Sequence, residues 1–174
     1  MTFAAERPQL RVLVLCTRNS ARSQMGEALL QAEGAGRVHA ASAGSAPGDG
    51  VHPLAVEALA ELGIDWRGRP AQGIDAVANQ KWDAVITVCD AARDACPILP
   101  GARLSAHWGL EDPAAIGGDH ATQLDAFRSA RDRLGAAVRA FVNVIDNAGT
   151  SLEEHALRAA LNAGARELGQ ESPT

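Results

Sequence analysis

Short apolar segments that alternate with helical segments constrain the fold of this chain more than any other feature. The run from Leu10 to Leu15 is almost wholly apolar and contains β-branched residues, as is typical of a strand buried on both faces of a parallel sheet. Residues 84–88 repeat this pattern, and weaker strand patterns cover 38–42 and 102–106. The alternation predicts an α/β fold, a three-layer sandwich with a four-stranded parallel sheet flanked by helices.

Helical patterns fill the segments between and after these strands. Apolar residues recur with the spacing of one helix face in three segments, residues 20–33, 53–62 and 120–147. Ser151 and Glu154 have the spacing of a capping box, which predicts a last helix that ends near Leu168.

The length and composition of the chain fit one folded domain. It has 174 residues, of which 47% are hydrophobic, and this composition excludes a disordered chain. We therefore expect a single domain over residues 1–174, with a loose leader (1–9), a core (10–147) and a C-terminal helix (151–168).

Charge and cysteine content narrow the functional classes. The net charge of −5 argues against a broad nucleic-acid-binding surface. The 3 cysteines do not suggest the disulfide scaffold of a secreted protein. The N-terminal sequence has neither a signal-peptide pattern nor an apolar run long enough to span a membrane. We expect a cytoplasmic protein with reduced thiols and with no nucleic-acid or membrane partner.

The segment from Cys16 to Ser23 joins the first predicted strand to the first predicted helix. At such a junction the N–H groups of a curled loop and the helix N-terminus can surround a tetrahedral oxyanion, and Arg22 offers a planar fork to two of its oxygens. The same positive field favours the thiolate of Cys16, to which Ser23 or Ser20 can donate a hydrogen bond. Asn19 suits a backbone position with positive φ. The predicted oxyanion-binding residues are Thr17, Arg18, Asn19, Ser20, Ala21 and Arg22.

This loop resembles the phosphate-binding loop of low-molecular-weight protein tyrosine phosphatases and of the arsenate reductases built on the same fold. The resemblance extends over residues 10–145. It implies that Cys16 is the nucleophile, Arg22 the oxyanion clamp and Ser23 the residue that stabilises the thiolate. Most relatives have glycine at the position of Arg18.

Members of this family carry a general acid in an Asp-Pro pair late in the chain, here Asp112-Pro113. The chemistry needs an acid because the leaving oxygen must be protonated while the thiolate attacks. Pro113 also biases Asp112 towards an extended conformation. Glu111 is the competing carboxylate.

The chain contains no tyrosine, and only 3 Phe and 3 Trp. Tyrosine phosphatases of this family line the cleft with aromatic side chains, often just after the Asp-Pro pair, where this chain has Ala114 and Ala115. An aryl phosphate would gain little stacking in such a cleft. The composition therefore favours a small inorganic oxyanion, of the arsenate or phosphate type, as the substrate.

Cys89 follows the central predicted strand, and Cys96 lies seven residues later. This spacing is not typical of a zinc site with His107. Two residues seven apart in a helix are about 10.5 Å apart along its axis, farther than the roughly 7 Å that a disulfide spans. The polar segment between Cys89 and Cys96 must therefore unwind before the two thiols can pair.

The cysteine spacing resembles that of thioredoxin-coupled arsenate reductases, which implies a disulfide relay. Cys16 attacks arsenate with help from Asp112, Cys89 then attacks Cys16 and releases arsenite, and Cys96 attacks Cys89 in turn. The resemblance implies thioredoxin as the external reductant and no bound cofactor. Glutathione with glutaredoxin, or mycothiol, is an alternative reductant.

Two further functions remain open: a low-molecular-weight phosphatase whose extra cysteines protect the nucleophile, and a non-enzymatic oxyanion-binding or redox-sensing module. Some related reductases carry a potassium site, whose ligand pattern Asn19, Glu27 and Ser42 match. Gln72 stands where those relatives have aspartate. A neutral amide there replaces a charged ligand, so we predict no metal site.

Overall fold

The computed structural model describes residues 9–95, 99–148 and 153–170. The predicted leader therefore falls, except for Gln9, outside the described residues, as does Cys96. The strands are β1 (Leu10–Cys16), β2 (Val38–Gly44), β3 (Trp82–Thr87) and β4 (Ala102–His107). The α-helices are α1 (Arg22–Gly34), α2 (Pro53–Ala60), α3 (Asp90–Ala95), α4 (His120–Asn147) and α5 (Glu154–Glu167). Short 3₁₀ helices cover Ile74–Ala76 and Pro113–Ala115.

The four strands form one parallel sheet in the order β2-β1-β3-β4. β1 lies inside the sheet, with Cys16 paired to Gly44 of β2 and Leu15 paired to Thr87 of β3. The predicted fold, a four-stranded parallel sheet flanked by helices, is confirmed. The carboxyl ends of β1 and β3 lie side by side, at the edge where parallel α/β sheets bind ligands.

Alternate residues of β1 pack on opposite faces of the sheet, which explains why the strand is apolar throughout. Val12 and Val14 belong to a large core that includes buried residues of α1, α2, α4 and α5. Leu13 and Leu15 belong to a smaller core, completed by Val77 and Leu99 on the other face.

Most predicted element boundaries lie within two residues of the observed ones, and α4 spans the predicted residues. The first helix was predicted from residue 20 but begins at Arg22, because residues 17–21 form a separate loop. The predicted strand 84–88 lies at 82–87. The predicted helix 53–62 ends at Ala60, and a turn that includes Gly63, with a φ of 76°, follows it.

The C-terminal helix α5 begins at Glu154, with Glu153 as its N-cap. The capping-box prediction put the N-cap at Ser151, two residues before the observed one, and Ser151 itself lies outside the described residues. α5 packs along α4 and against β4. Within the described ranges, no helix has the length and apolar character that crossing a membrane requires.

Trp108, which follows β4, is fixed between α4 and α5. Its indole N–H donates to the carbonyl of Leu161 in α5 at 3.1 Å, and its ring meets Phe141 of α4 edge to face at 5.9 Å. Gly164 of α5 packs directly against the indole, which is 1% exposed. The C-terminal helix thus buries the residue that begins the loop leading to Asp112.

Candidate active site

The loop of residues 17–21 curls from the end of β1 into α1, and the following segment holds its carbonyl groups. Thr17 O accepts from Ala46 N at 2.9 Å, Arg18 O accepts from Gly48 N at 2.9 Å, and Ser20 O accepts from the N–H of His52 at 2.8 Å. Because these carbonyls are turned towards residues 45–52, the N–H groups of the loop are left for the side that faces Cys16. Such a curl is a concave anion site.

Asn19 gives the loop its shape. Its φ of 51° is left-handed, as predicted, and the residue is 0% exposed. Its side-chain oxygen accepts from Gln72 N at 2.9 Å. Gly44 lies under this turn, where an added Cβ would be 2.9 Å from Asn19 N. A side chain at position 44 would therefore displace the loop.

Two hydrogen bonds reach the sulfur of Cys16, which is 3% exposed. Asn19 N–H donates to Sγ at 3.1 Å, and Ser23 Oγ lies 2.8 Å from it. Ser23 Oγ also accepts from the side-chain N–H of Asn19 at 2.9 Å, so its own hydrogen is left for the sulfur. Of the two predicted hydroxyls, Ser23 and not Ser20 has this position, which stabilises a thiolate.

Arg22 and Asp112 face each other across the site. The Arg22 guanidinium donates to Leu110 O at 2.9 Å and lies 3.6 Å from a carboxylate oxygen of Asp112. Asp112 is held in turn by the N–H of Ala114 at 3.0 Å. Its side chain is 42% exposed, whereas that of Arg22 is 13% exposed. Asp112, and not the competing Glu111, is therefore the carboxylate that faces Arg22.

These groups line one cavity of about 740 Å³. It is larger than a tetrahedral oxyanion needs, and of the described residues only His52 brings an aromatic ring to its wall. Its lining residues are Cys16, Thr17, Arg18, Ser20, Ala21, Arg22, Gly48, Asp49, Gly50, Val51, His52, Pro53, Asp112 and Ala114.

Cys89 lies between β3 and α3, beside the oxyanion loop. Its sulfur is 3.6 Å from the hydroxyl of Thr17 and accepts from Ala92 N, in the first turn of α3, at 3.3 Å. Cys16 and Cys89 are both buried free thiols. Hydrogen bonding at a helix N-terminus favours a thiolate. The structure thus brings two of the predicted cysteines to neighbouring strand ends, while Cys96 lies outside the described residues.

The residues that match a potassium site do meet, but they bond to one another. Ser42 donates to Glu27 at 2.6 Å, Asn19 presents its N–H to Ser42 at 2.9 Å, and Gln72 donates to Ser42 O at 2.7 Å. Burial raises the pKa of Glu27, although the hydrogen bond from Ser42 and the charge of Arg69, 3.9 Å away, oppose the shift. Glu27, Ser42 and Asn19 are thus held together by hydrogen bonds, and the absence of a metal site stays a prediction.

His52 was not predicted from the sequence, although it lines the cavity. It is the N-cap of α2, and its Nδ1 accepts from Leu54 N at 3.1 Å. Burial lowers its pKa, and the nearby charge of Asp112 opposes that shift. The one local signal is the His52-Pro53 pair, because a polar side chain followed by proline is typical of a helix start.

Comparison with known proteins agrees with this geometry. Residues 11–155 match the family described as low molecular weight phosphotyrosine protein phosphatase. The chain belongs to this family. The match covers the sheet, the oxyanion loop and Asp112, and it ends where α5 begins.

Relatives of this phosphatase-family chain include named arsenate reductases. The arsenate reductase of Halalkalibacterium halodurans is 38% identical over 136 residues, which are 75% of this chain and 93% of that protein. The solved structure of an arsenate reductase in the phosphate binding state has a TM-score of 0.66 and 30% identity, and the match covers 78% of this chain and 98% of that one. A thioredoxin-dependent arsenate reductase from Corynebacterium glutamicum has a TM-score of 0.60 and 29% identity, and the match covers 82% of this chain and 65% of that one.

Proposed function

We propose that this chain is an arsenate reductase in which Cys16 attacks arsenate and a disulfide relay through Cys89 and Cys96 restores the enzyme. The observation that carries the proposal is the second buried thiol, Cys89, at the strand end beside Cys16, in contact with Thr17 of the oxyanion loop. A phosphatase needs only Cys16, a clamp and an acid. The named arsenate reductases among the relatives support the choice of arsenate.

In the first step the thiolate of Cys16 attacks arsenic. The oxyanion is held by the loop N–H groups and by Arg22, whose guanidinium is already oriented by Leu110 O. Asp112 donates a proton to the departing oxygen, which leaves as water, and a Cys16–arsenic bond is formed. Ser23 and the Asn19 N–H hydrogen-bond to the attacking sulfur of Cys16.

In the second step the thiolate of Cys89 attacks the sulfur of Cys16. The electron pair of the sulfur–arsenic bond passes to arsenic, arsenite leaves, and a Cys16–Cys89 disulfide forms. Cys96 then attacks Cys89, which releases Cys16 as a thiolate. We propose thioredoxin as the reductant of the resulting Cys89–Cys96 disulfide, as in the thioredoxin-dependent relative.

The short helix α3 is suited to this rearrangement. It has six residues, of which Ala92 is buried, so few apolar contacts oppose its unwinding. Cys89 can therefore leave its place beside Thr17 at little cost to the rest of the fold.

Cysteine variants test the relay, with arsenite release measured in the presence of thioredoxin, thioredoxin reductase and NADPH. Cys89→Ser should still bind arsenate at Cys16 but release no arsenite. Cys96→Ser should release about one arsenite per protein and stop as the Cys16–Cys89 disulfide, visible by mass spectrometry. Sustained turnover of Cys89→Ser with thioredoxin would refute the relay.

The same preparation tests the competing functions. Hydrolysis of p-nitrophenyl phosphate that is much faster than arsenate reduction would instead identify a phosphatase. Arsenate binding without reduction by thioredoxin, glutaredoxin or mycothiol would identify a binding module. Replacing thioredoxin by glutaredoxin with glutathione, or by mycothiol, as the sole electron donor identifies the reductant.

A further inference from the structure

His52 has an unusually well-defined place in the cavity wall. Its backbone N–H donates to Ser20 O at 2.8 Å, which joins the residue to the oxyanion loop. Its ring stacks on Phe127 of α4, with 4.7 Å between the centroids and 27° between the planes. Its Nδ1 accepts the N–H of Leu54 at the start of α2. The bond to Ser20 O thus holds the backbone of His52, and the contacts with Phe127 and Leu54 fix the orientation of the imidazole.

These contacts also fix the tautomer of the ring. Because Nδ1 accepts a hydrogen bond from a backbone N–H, it carries no proton, and the proton of the neutral imidazole must be on Nε2. Among the described residues, none forms a hydrogen bond with Nε2. That N–H is thus a free donor on a ring that lines the same cavity as Cys16, Arg22 and Asp112.

We propose that the Nε2–H of His52 donates a hydrogen bond to the oxyanion bound over Cys16. This inference rests on the proposed function only in taking a tetrahedral oxyanion as the ligand. His52 would be a binding residue, in addition to the loop N–H groups and Arg22.

A neutral donor is chemically preferable at this position. Asp112 must hold a proton to act as the acid, and an imidazolium near it would favour the carboxylate and oppose that role. Burial keeps the pKa of His52 low, so the ring contributes a directed N–H without a positive charge at neutral pH. The other charged groups on the cavity wall are Arg18, Arg22, Asp49 and Asp112, and Cys16 when it is a thiolate.

The test uses inorganic phosphate as the probe. The rate at which iodoacetamide alkylates Cys16 is measured at increasing phosphate concentrations, because bound phosphate protects the thiol. In His52→Asn the side-chain oxygen still caps α2, because asparagine is a good N-cap, but Nε2 is lost. We expect the phosphate dissociation constant to rise about tenfold, as for loss of one hydrogen bond to a charged group. The cap is kept but the stacking of the ring on Phe127, worth about 0.5–1.5 kcal/mol, is lost, so the midpoint of thermal unfolding should fall by about 1–6 °C and leave the variant folded at the assay temperature. For arsenate, KM should rise and kcat should stay within about threefold.

His120→Asn is the matched control, since His120 is an exposed histidine paired with Glu57 outside the cavity. It should leave phosphate protection unchanged. Unaltered protection in His52→Asn would overturn the inference. Protection that depends on His52 without any arsenate reduction would support it and refute the proposed function instead.

A measurement on the unmodified protein avoids any effect of the substitution on folding. In nitrogen-15 spectra, saturating phosphate should move the Nε2 resonance of His52 and not that of His120. If the His52 resonance stays in place while Cys16 is protected, His52 does not touch the anion.

Discussion

Replacing Gly164 with alanine should destabilise this protein, although the same change normally stabilises a helix. Alanine is favoured over glycine by about 1 kcal/mol inside a helix. At this position of α5, however, an added Cβ would lie 2.7 Å from Cε2 and 2.8 Å from Cη2 of Trp108, and closer still to Cζ2. Carbon atoms in contact need about 3.5–4.0 Å. The indole must therefore move by roughly 1 Å.

The expected size of the effect follows from three contributions. Overpacking a buried ring costs about 1–3 kcal/mol. Moving the indole also weakens its hydrogen bond to Leu161 O, worth about 1 kcal/mol. Against these stands the gain of about 1 kcal/mol in helix propensity. The net loss of about 2 kcal/mol corresponds to a fall of about 4–8 °C in the unfolding midpoint for a chain of this size.

Gly135 in α4 supplies the matched control, because it is also a buried helical glycine. An added Cβ there would lie 3.1 Å from the end of the Arg139 side chain, which can swing away. Gly135→Ala should therefore raise the midpoint by about 2–4 °C. Both variants are measured by thermal unfolding followed by circular dichroism.

The double variant Trp108→Phe with Gly164→Ala separates the clash from other effects. Phenylalanine removes the atoms that the new methyl group meets, so the alanine should cost much less in this background, with a coupling of about 1–2 kcal/mol. If Gly164→Ala is as stabilising as Gly135→Ala, or if the coupling is zero, the packing of α5 on Trp108 is not as described. We also expect Gly164→Ala to slow arsenite release, because Trp108 begins the loop that carries Asp112.

Three further substitutions test the site. Burial raises the folded-state pKa of Glu27, so the stability linked to its proton is present below about pH 4 and lost as the pH rises through that raised pKa. Relative to the unmodified protein, Glu27→Gln should therefore gain stability between about pH 4 and pH 7 in thermal unfolding; a relative loss over this range would contradict the assigned shift. Ser23→Ala removes a hydrogen bond to the sulfur of Cys16, so alkylation of Cys16 by iodoacetamide at pH 7 should slow about 3–10-fold. An unchanged alkylation rate would show that Ser23 does not stabilise the thiolate. Arg18 lines the cavity of an acidic protein, so Arg18→Gln should weaken phosphate protection of Cys16 about 3–10-fold at low salt and much less at 1 M salt. The control Arg133→Gln, at an exposed arginine of α4, should leave this protection unchanged at both salt concentrations. Equal losses at both salt concentrations would exclude an electrostatic role for Arg18.

The fold was predictable because its signals are local and strong. A strand buried on both faces must be apolar throughout, as β1 is, and a long helix with one buried face has the periodicity of α4. The predicted ends of helices and strands were wrong where tertiary contacts decide the conformation. Residues 20 and 21 continue the helical pattern, but the hydrogen bond from His52 N to Ser20 O keeps this part of the chain in the loop.

In the candidate site, too, the residues that are close in sequence were predictable and those that tertiary contacts bring to the cavity were not. Cys16, Arg22 and Ser23 come from one contiguous segment, so their spacing alone predicts a common site. The roles of His52 and of Leu110 O depend on which distant segments the fold brings to the cavity. The packing of Gly164 on Trp108 joins positions 56 residues apart, and the sequence pattern carries no sign of it.

The two described thiols differ in the local stability of the backbone that carries them. β1 is hydrogen-bonded on both sides, so we expect its amide protons to exchange with solvent only on global unfolding. The amides of α3 lie in a single short helix and should exchange through local opening, orders of magnitude faster. We therefore expect Cys16 to lie among the slowest-exchanging amides of the described residues and Cys89 beside much faster ones. In the proposed relay, repeated opening around Cys89 would leave the geometry of the anion loop intact from one turnover to the next.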